Sequence, residues 1–289
     1  MHLMIRKGDK QDKRLDRVPH KGMHKKIVLS VAIAMVFAVS CSNSQNESAK
    51  SYELAWADEF DGSNINTDNW TFEIWEAGRV NNEWQQYVEN NNNYRLEDGK
   101  LHITAIRTGN NEPGGYTSTR LSSQNKQEFK FGRIEFRAKM PSGTGTWPAL
   151  WMLGANIGEV GWPKCGEIDI MEYVGFQPDT THSNVHTQYQ SGVTDFHKEV
   201  QLTTAEEDFH IYGMTWTPDS INFYLDDPAN IVNTYAPATK TEDNWPFDKP
   251  CFIIMNFAVG GTWGGLYGVD GTIWPQSMVV DYVRLYKLK

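Results

Sequence analysis

The chain has 289 residues, with 27 Lys+Arg against 36 Asp+Glu and a formal net charge of −9. Residues 1–40 hold nine of the basic and three of the acidic residues, so the remainder carries 18 basic and 33 acidic residues, a net of −15. This acidic balance argues against nucleic acid as a partner, and against strongly sulfated or carboxylated polymers as main ligands.

The first 41 residues have the composition of a targeting segment. We interpret residues 1–22 as an extension before the natural start, because residues 23–41 by themselves form a complete signal peptide, too short to span a bilayer as a helix. The ending "AVSC" resembles a bacterial lipobox, with Ala38 where Leu is usual, so acylation of Cys41 and ordinary secretion are both open. We expect an exported protein, anchored in the bacterial outer membrane through Cys41 and facing the periplasm or the cell exterior, or otherwise secreted.

Residues 42–52 have the composition of a flexible linker, and residues 53–289 have the length of one large domain. This domain reads as short segments rich in Val, Ile, Phe and Tyr that alternate with polar residues and are separated by turn sequences such as "EDGK" and "TPDS". The pattern predicts an all-β sandwich or jelly roll. Cys165 and Cys251 either pair or remain buried thiols.

The stretch "GEIDIMEYVG" places Glu167, Asp169 and Glu172 within six residues that otherwise look like core. A helix would spread the three carboxylates over different faces. On a strand, Glu167 and Asp169 share a face and Glu172 does not. One extra residue, a β-bulge at Ile170 or Met171, would return Glu172 to the acidic face.

Three carboxylates on one strip repel each other, so a simple solvated face is a poor explanation for them. Glycoside hydrolysis uses such a set, since one carboxylate attacks the sugar while a protonated carboxyl assists the leaving oxygen. Neighbouring negative charge raises the pKa of one partner and keeps its proton near neutral pH. The acidic strand therefore predicts a catalytic site.

All 11 Trp residues follow Cys41, which is more than a core of this size requires. In "TWPALWML", Trp147 and Trp151 lie on the same face of an extended segment, where their rings either stack on sugar rings or fill the core. Trp263 in "GGTWGG" is predicted to lie at a loop tip, where a ring is available to a ligand.

The acidic stretch resembles the signature of glycoside hydrolase family sixteen, and its form with Met in the insertion resembles the laminarinase branch. The similarity runs from about Leu54 to Leu288. It is carried by "WADEFDG", "NNEWQQYVENNNNYRLEDGKLHITA", "YTSTRLSS", "FGRIEFRAKMPSGTGTWPALWMLG", "MNFAVGGTWGG" and "VVDYVRLY". It implies a concanavalin-like jelly roll with a concave substrate cleft that hydrolyses internal β-1,3 bonds of β-glucans with retention of configuration. The chain departs from the family pattern around "SGVTDFHKEVQL" and at Cys251.

The resemblance also implies roles for individual residues. Glu167 would be the nucleophile, Asp169 its helper, and Glu172 the general acid and then base. The expected substrate contacts are His186, Trp147, Trp151, Trp263, Asn82 and Arg120. Family members often carry a structural calcium, for which the matching positions are the backbone oxygens of Glu59 and Gly99 and the carboxylate of Asp281.

We expect a monomer that needs no cofactor for catalysis and whose partner is a β-glucan polysaccharide, with no nucleic acid and no membrane contact beyond the lipid anchor. Two other classes of function remain open at this point. The first is a hydrolase of mixed-linkage β-1,3-1,4-glucan or of an algal galactan. The second is a lectin-like module that binds glycan without cleaving it. Loop shapes set the preference among polymers, and the sequence does not show them.

Overall fold

The computed structural model describes residues 51–289. These residues form eighteen strands and one four-residue helix. The strands are β1 (Tyr52–Asp58), β2 (Thr71–Phe72), β3 (Gln85–Tyr87), β4 (Tyr94–Glu97), β5 (Lys100–Arg107), β6 (Tyr116–Ser118), β7 (Arg120–Ser122), β8 (Glu128–Phe129), β9 (Gly132–Lys139), β10 (Thr146–Gly154), β11 (Glu167–Tyr173), β12 (Thr180–His186), β13 (Lys198–Gln201), β14 (His210–Trp216), β15 (Ile221–Leu225), β16 (Ile231–Tyr235), β17 (Cys251–Val259) and β18 (Gln276–Leu288); the helix is α1 (Ile157–Val160). The predicted all-β class is confirmed.

The strands form two sheets that make the sandwich of a jelly roll. Sheet A has the order β16-β15-β14-β9-β18-β5-β6-β3, with β1 beside β18 and β4 beside β5. Sheet B has the order β13-β12-β11-β10-β17-β7-β2, with β8 beside β17. Neighbouring strands are antiparallel except for the parallel pair β3 and β6. Many neighbours in the sheets are distant in sequence, so the fold depends on long-range pairing.

The hydrophobic core lies between the two sheets and follows from the alternation of side chains along each strand. Ile134 and Phe136 of β9 contribute from sheet A, and Met255 and Phe257 of β17 contribute from sheet B. The intervening residues of β17 point to the other face of sheet B. We call this face, turned away from sheet A, the outer face.

The pairing of β11 with β10 contains an irregularity of one residue. Leu150 pairs with Met171, whereas Trp151 pairs with Asp169, so Ile170 has no partner on β10. Ile170 and Met171 both pack into the core. This is the β-bulge expected from the sequence, and the structure places it at Ile170. Because of this extra residue, the residues of β11 after Ile170 point to the opposite face from the one that regular alternation would give them.

The N-terminal predictions lie largely outside the described residues. This applies to the extension at residues 1–22, to the signal peptide and lipobox-like cysteine at residues 23–41, and to most of the linker at residues 42–52. The first strand begins at Tyr52, one residue before the predicted start of the domain. Across residues 51–289, no helix is long and apolar enough to cross a membrane.

Both cysteines of the domain are buried free thiols, so of the two alternatives open from the sequence the structure has the unpaired one. Cys165 packs in a small apolar cluster with Leu153, Phe252 and Ile254 on the outer face of sheet B. Burial raises the pKa of the Cys165 thiol to about 11, with a further contribution from the charge of Glu167. A thiol with such a pKa is protonated at neutral pH and acts as a small apolar side chain.

The core face of β11 gives a first prediction. Ile168 is fully buried, and Ile168→Ala is expected to lower the free energy of unfolding by about 2–5 kcal/mol, because a cavity forms where the side chain was. The matched control is Ile231→Ala in β16, where the Ile is 52% exposed and the expected loss is below about 1 kcal/mol. Denaturant unfolding measures both changes. Equal losses at the two positions would contradict the assignment of this face to the core.

Candidate active site

The bulge brings the three carboxylates of β11 to the outer face of sheet B. Glu172 pairs with Ala149, Asp169 with Trp151 and Glu167 with Leu153. Ala149, Trp151 and Leu153 are alternate residues of β10 and therefore share one face. The three acids consequently form a single row beside the row that carries Trp151.

A second row runs along β12 on the other side of the acids. Glu167 pairs with His186, Asp169 with Asn184, and Glu172 with His182. Side chains of directly paired residues lie on the same face of a sheet and within contact distance. The acidic row is thus flanked by tryptophans on one side and by two histidines and an asparagine on the other.

Each glutamate accepts a hydrogen bond from an indole. The Nε1–H of Trp162 donates to Glu167 Oε2 at 2.8 Å, and the Nε1–H of Trp147 donates to Glu172 Oε1 at 3.1 Å. His186 Nε2 lies 3.7 Å from Glu167 Oε1. The two indole N–H groups hold the carboxylates in position, and together with the nearby His186 they favour the anionic forms.

Asp169 lies between the two glutamates and is only 3% exposed. Its Oδ2 is 3.0 Å from His186 Nε2 and has no hydrogen-bond partner in residues 51–289. The hydrogen bond of His186 Nε2 is with Asn184 Nδ2, at 3.2 Å. A buried carboxylate with a free oxygen is costly unless a charge or a proton compensates it.

All three carboxyl groups have raised pKa values. Burial raises the pKa of Glu167 to about 8 and that of Glu172 to about 8, and the charge of Asp169 contributes to both. Burial also raises the pKa of Asp169 to about 7. At neutral pH the group therefore retains protons, as a site needs when it must supply an acid and an anion together.

The predicted aromatic residues meet beside the acids. Trp147 and Trp263 pack edge to face with ring centroids 5.6 Å apart, and both are half-buried. Trp263 follows Gly260 and Gly261, which both adopt positive φ angles, of 67° and 81°. The glycines therefore allow the turn that carries the Trp263 ring to Trp147, and its position is a loop, as predicted.

A chain of hydrogen bonds holds the Trp151 indole. Its Nε1–H donates to Asn256 Oδ1 at 2.7 Å, and Asn256 Nδ2 donates to the Tyr87 hydroxyl at 3.0 Å. That hydroxyl donates to Glu83 Oε2 at 3.2 Å. Glu83, Tyr87 and Asn256 are all buried, so the network fixes the ring from beneath.

Arg120 lies beneath the aromatic part of the site. It was expected to contact sugar hydroxyls, but it is only 7% exposed. Its guanidinium pairs with Glu73 and stacks between Trp75 and Trp151, at 4.3 and 4.8 Å from the ring centroids. It supports the Trp151 ring by stacking, and its contact with sugar hydroxyls remains a prediction.

Asn82 lies in an exposed turn, with a φ of 51°. The neighbouring Asn81 carbonyl accepts a hydrogen bond from Thr262 N at 2.7 Å, which joins this turn to the loop of Trp263. The structure thus brings Asn82 near the aromatic part of the site, and its contact with sugar hydroxyls remains a prediction.

The residues predicted to bind calcium suit the ion only in part. Asp281 lies at a register shift of β18, and its Oδ2 accepts a hydrogen bond from Arg137 Nη1 at 2.6 Å. One carboxylate oxygen is then left for an ion that prefers six to eight oxygen ligands. The calcium site remains a prediction. Within residues 51–289, two groups bring histidine and acidic ligand atoms within 4.8 Å of one another: Glu167, Asp169 and His186, and separately His182, His197 and Glu199.

Sequence reasoning missed Trp162 and Asn256. Trp162 lies five residues before Glu167 in an exposed loop, and the short spacing to the acidic strand is a usable signal. Asn256 reaches the site because β17 pairs with β10 and sets Asn256 opposite Ala149. No local pattern reports that long-range register.

Comparison with known proteins agrees with this geometry. The profile for Glycosyl hydrolases family 16 matches residues 79–284. A beta-glucanase of Rhodothermus marinus is 40% identical over 275 residues, covering 91% of this chain and 96% of the relative. A glucan endo-1,3-beta-glucosidase of Cryptopygus antarcticus is 37% identical over 248 residues, covering 80% and 90%. The crystal structure of a laminarinase from Flavobacterium sp. UMI-01 matches with a TM-score of 0.75 and 44% identity, covering 81% of this chain and 100% of that one.

The chain belongs to glycosyl hydrolase family 16. The fold and family expected from the resemblance are therefore confirmed, and the acidic row on β11 lies within the matched residues. A family 16 enzyme needs one carboxylate and one protonated carboxyl close to the scissile bond. The row of Glu167, Asp169 and Glu172 offers both.

The raised pKa of Glu172 predicts a pH-dependent effect on stability. The folded state holds this proton more tightly than the unfolded chain does, so the carboxyl destabilises the fold progressively as the pH rises from about 4.5 to 8. In Glu172→Gln, the gain in free energy of unfolding over the wild type should grow with pH, reaching about 1 kcal/mol or more at pH 8. That corresponds to a few °C in Tm.

Thermal unfolding at pH 5, 6.5 and 8 measures this gain. The control is Glu159→Gln on helix α1, where the glutamate is exposed and the difference from wild type should be flat with pH. A gain for Glu172→Gln that shrinks as the pH rises would contradict the assigned direction of the shift.

Proposed function

We propose that this family 16 enzyme is an endo-acting hydrolase of internal β-1,3 bonds in β-glucans such as laminarin. The observation that carries the proposal is the bulged strand β11, which sets the buried Asp169 and the half-buried Glu167 and Glu172 in a row between tryptophan rings and His186. The named relatives, a beta-glucanase, a glucan endo-1,3-beta-glucosidase and a laminarinase, support the choice of polymer.

In the first step, Glu167 attacks the anomeric carbon and forms a covalent glycosyl-enzyme while Glu172 gives its proton to the departing glycosidic oxygen. The Trp162 N–H and the nearby His186 favour the anionic form of Glu167. Burial and the charge of Asp169 keep the proton on Glu172. The pKa values of Glu167 and Glu172 are raised alike, to about 8, so the pair shares the proton, and we assign the anion to Glu167 and the proton to Glu172 from the family 16 motif.

In the second step, Glu172, now a carboxylate, removes a proton from water, and the resulting hydroxide attacks the same carbon and releases Glu167. Two displacements at one carbon retain its configuration. Asp169 lies between the two glutamates and can hydrogen-bond to the Glu167 carboxyl group while the charge of Glu167 changes. His186 Nε2 lies 3.0 Å from Asp169 Oδ2, and its proximity lowers the pKa values of Glu167 and Glu172.

The half-buried rings of Trp147, Trp151 and Trp263 supply flat apolar faces on which glucose rings can stack, at about 1 kcal/mol for each good aromatic contact. Trp162 is 50% exposed beside Glu167 and adds a fourth face. Trp147 and Trp263 lie at the Glu172 end of the acidic row, and Trp162 lies at the Glu167 end. Rings at both ends would bind sugars on either side of the cleaved bond, as an endo-acting enzyme requires.

A substrate panel tests the proposal. The full chain is incubated separately with laminarin, lichenan, agarose, carrageenan and buffer, and the products are separated by chromatography. We expect a ladder of oligosaccharides from laminarin.

Glu167→Gln should slow turnover by roughly a thousandfold or more with little change in folding, because the attacking carboxylate is lost. Proton NMR during early hydrolysis should show the β-anomer forming first.

Each other outcome identifies a different function. Cleavage of lichenan in preference to laminarin would assign a mixed-linkage glucanase, and cleavage of a galactan alone would overturn the β-glucan substrate. Binding without release of reducing sugar would favour a lectin-like module. An initial α-anomer would exclude the double displacement.

The charge of Asp169 gives a prediction on the pH profile of hydrolysis. Because this charge raises the pKa of Glu172, Asp169→Asn should move the alkaline limb of kcat/KM to lower pH, by about one unit. The exposed Asp61→Asn is the control and should leave the profile in place. A limb that stays at the wild-type pH in Asp169→Asn would show that Asp169 does not tune the acid.

We also propose that the protein acts after export as a monomer, with a lipid on Cys41 and with calcium as a structural ion. Support for export comes from residues 23–41 and their lipobox-like end. Metabolic labelling with a fatty acid and its loss in Cys41→Ser would test the anchor. Elution volume in gel filtration would test the monomer.

A further inference from the structure

A second cluster of ionisable side chains lies beside the acidic row. His182 of β12 pairs with Glu172 of β11 on one side and with Glu199 of β13 on the other. His197 precedes β13 by one residue, and its side chain meets His182. His197 and Glu199 lie in the stretch "SGVTDFHKEVQL", outside the acidic row, and the hydrolytic mechanism does not use the cluster.

The two imidazoles face each other closely. His182 Nδ1 and His197 Nε2 are 3.0 Å apart, and the rings are stacked, with centroids 5.0 Å apart and an interplanar angle of 11°. Ligand atoms of His182, His197 and Glu199 all lie within 4.8 Å of one another. His182 is only 2% exposed, and its Nε2 has no hydrogen-bond partner in the described residues.

Metal binding requires neutral imidazole rings, and the surroundings of both histidines favour that form. Burial, together with the charge of His197, lowers the pKa of His182 to about 4, and burial also lowers the pKa of His197. The ionisable groups that face the pair are Glu199, which raises the pKa of His197, His186, which lowers it, and Glu172, which is paired with His182. Neutral imidazole nitrogens are the commonest protein ligands of zinc and its neighbours.

We infer that His182, His197 and Glu199 form a binding site for a divalent transition-metal cation of the Zn²⁺ type. With Zn–N distances of about 2.0–2.1 Å, two nitrogens of a tetrahedral site lie roughly 3.3 Å apart. The observed 3.0 Å therefore needs an opening of about 0.3 Å. Two imidazoles and one carboxylate are three ligands, and the fourth position is left to water.

The position of the cluster gives the site a consequence for the glucan cleft. The Trp263 ring packs edge to face against His182 and His197, with centroids 4.9 and 5.9 Å away. A metal that joins the two imidazoles would fix the surface on which Trp263 rests. This consequence depends on the proposed function, whereas metal binding itself does not.

Isothermal titration of the full chain with ZnCl₂ at pH 7.5 tests the site. We expect His197→Gln and Glu199→Gln to weaken binding tenfold or more, and His102→Gln, on sheet A, to leave it unchanged. Glu167→Gln should keep the His197-dependent part of the Zn²⁺ binding, because Glu167, Asp169 and His186 form a separate group of ligand atoms. The sequence has other histidines outside the domain, so the quantity to compare is the His197-dependent part of the binding.

A thermal scan of each variant without metal confirms that it folds, and Zn²⁺ should raise the Tm of the wild type but not that of His197→Gln. The inference is overturned if binding survives intact in His197→Gln, or if it disappears in Glu167→Gln instead. A wild-type protein that shows neither heat nor a Tm shift with Zn²⁺ would overturn it equally. None of these outcomes bears on the hydrolysis of glucan.

Discussion

A single unpaired residue in β11 determines the chemistry of this protein. Ile170 has no partner on β10, and for that reason Glu172 lies on the same face as Glu167 and Asp169. Without the bulge, strand alternation would turn Glu172 into the core beside Ile168, where a carboxyl group would be costly and could not reach a substrate. Because Ile170 and Met171 both contribute to the core, the irregularity is itself stabilised by burial of apolar side chains.

The same arrangement sets stability against function. Three carboxyl groups taken out of water and placed side by side repel each other, and their pKa values rise as a result. The indoles of Trp147 and Trp162 and the ring of His186 offset part of this cost without removing it. A complete compensation would ionise all three acids and leave no proton for a leaving group, so the site works because its charges are only partly balanced.

The sequence predicts the parts of this site that depend on local periodicity. The spacing of Glu167, Asp169 and Glu172 requires a bulged strand, and the four-residue interval between Trp147 and Trp151 puts both rings on one face. Local periodicity does not predict the burial of Arg120, because that burial depends on the pairing of β7 with β17 and on the contact with Trp75. Local periodicity also does not predict the role of Asn256, because its position opposite Ala149 depends on the long-range register of β10 and β17.

Chemistry and substrate preference are carried by different parts of the molecule. The acids and Trp151 lie on paired strands, and the hydrogen bonds through Asn256, Tyr87 and Glu83 fix that ring from the interior. Trp162 and Trp263 lie in loops, which can change with little effect on the sheets. The separation is incomplete at Trp162, since its indole bonds directly to Glu167. A change in that loop therefore alters the surroundings of the Glu167 carboxylate, whereas a change around Trp263 acts first on the aromatic part of the site.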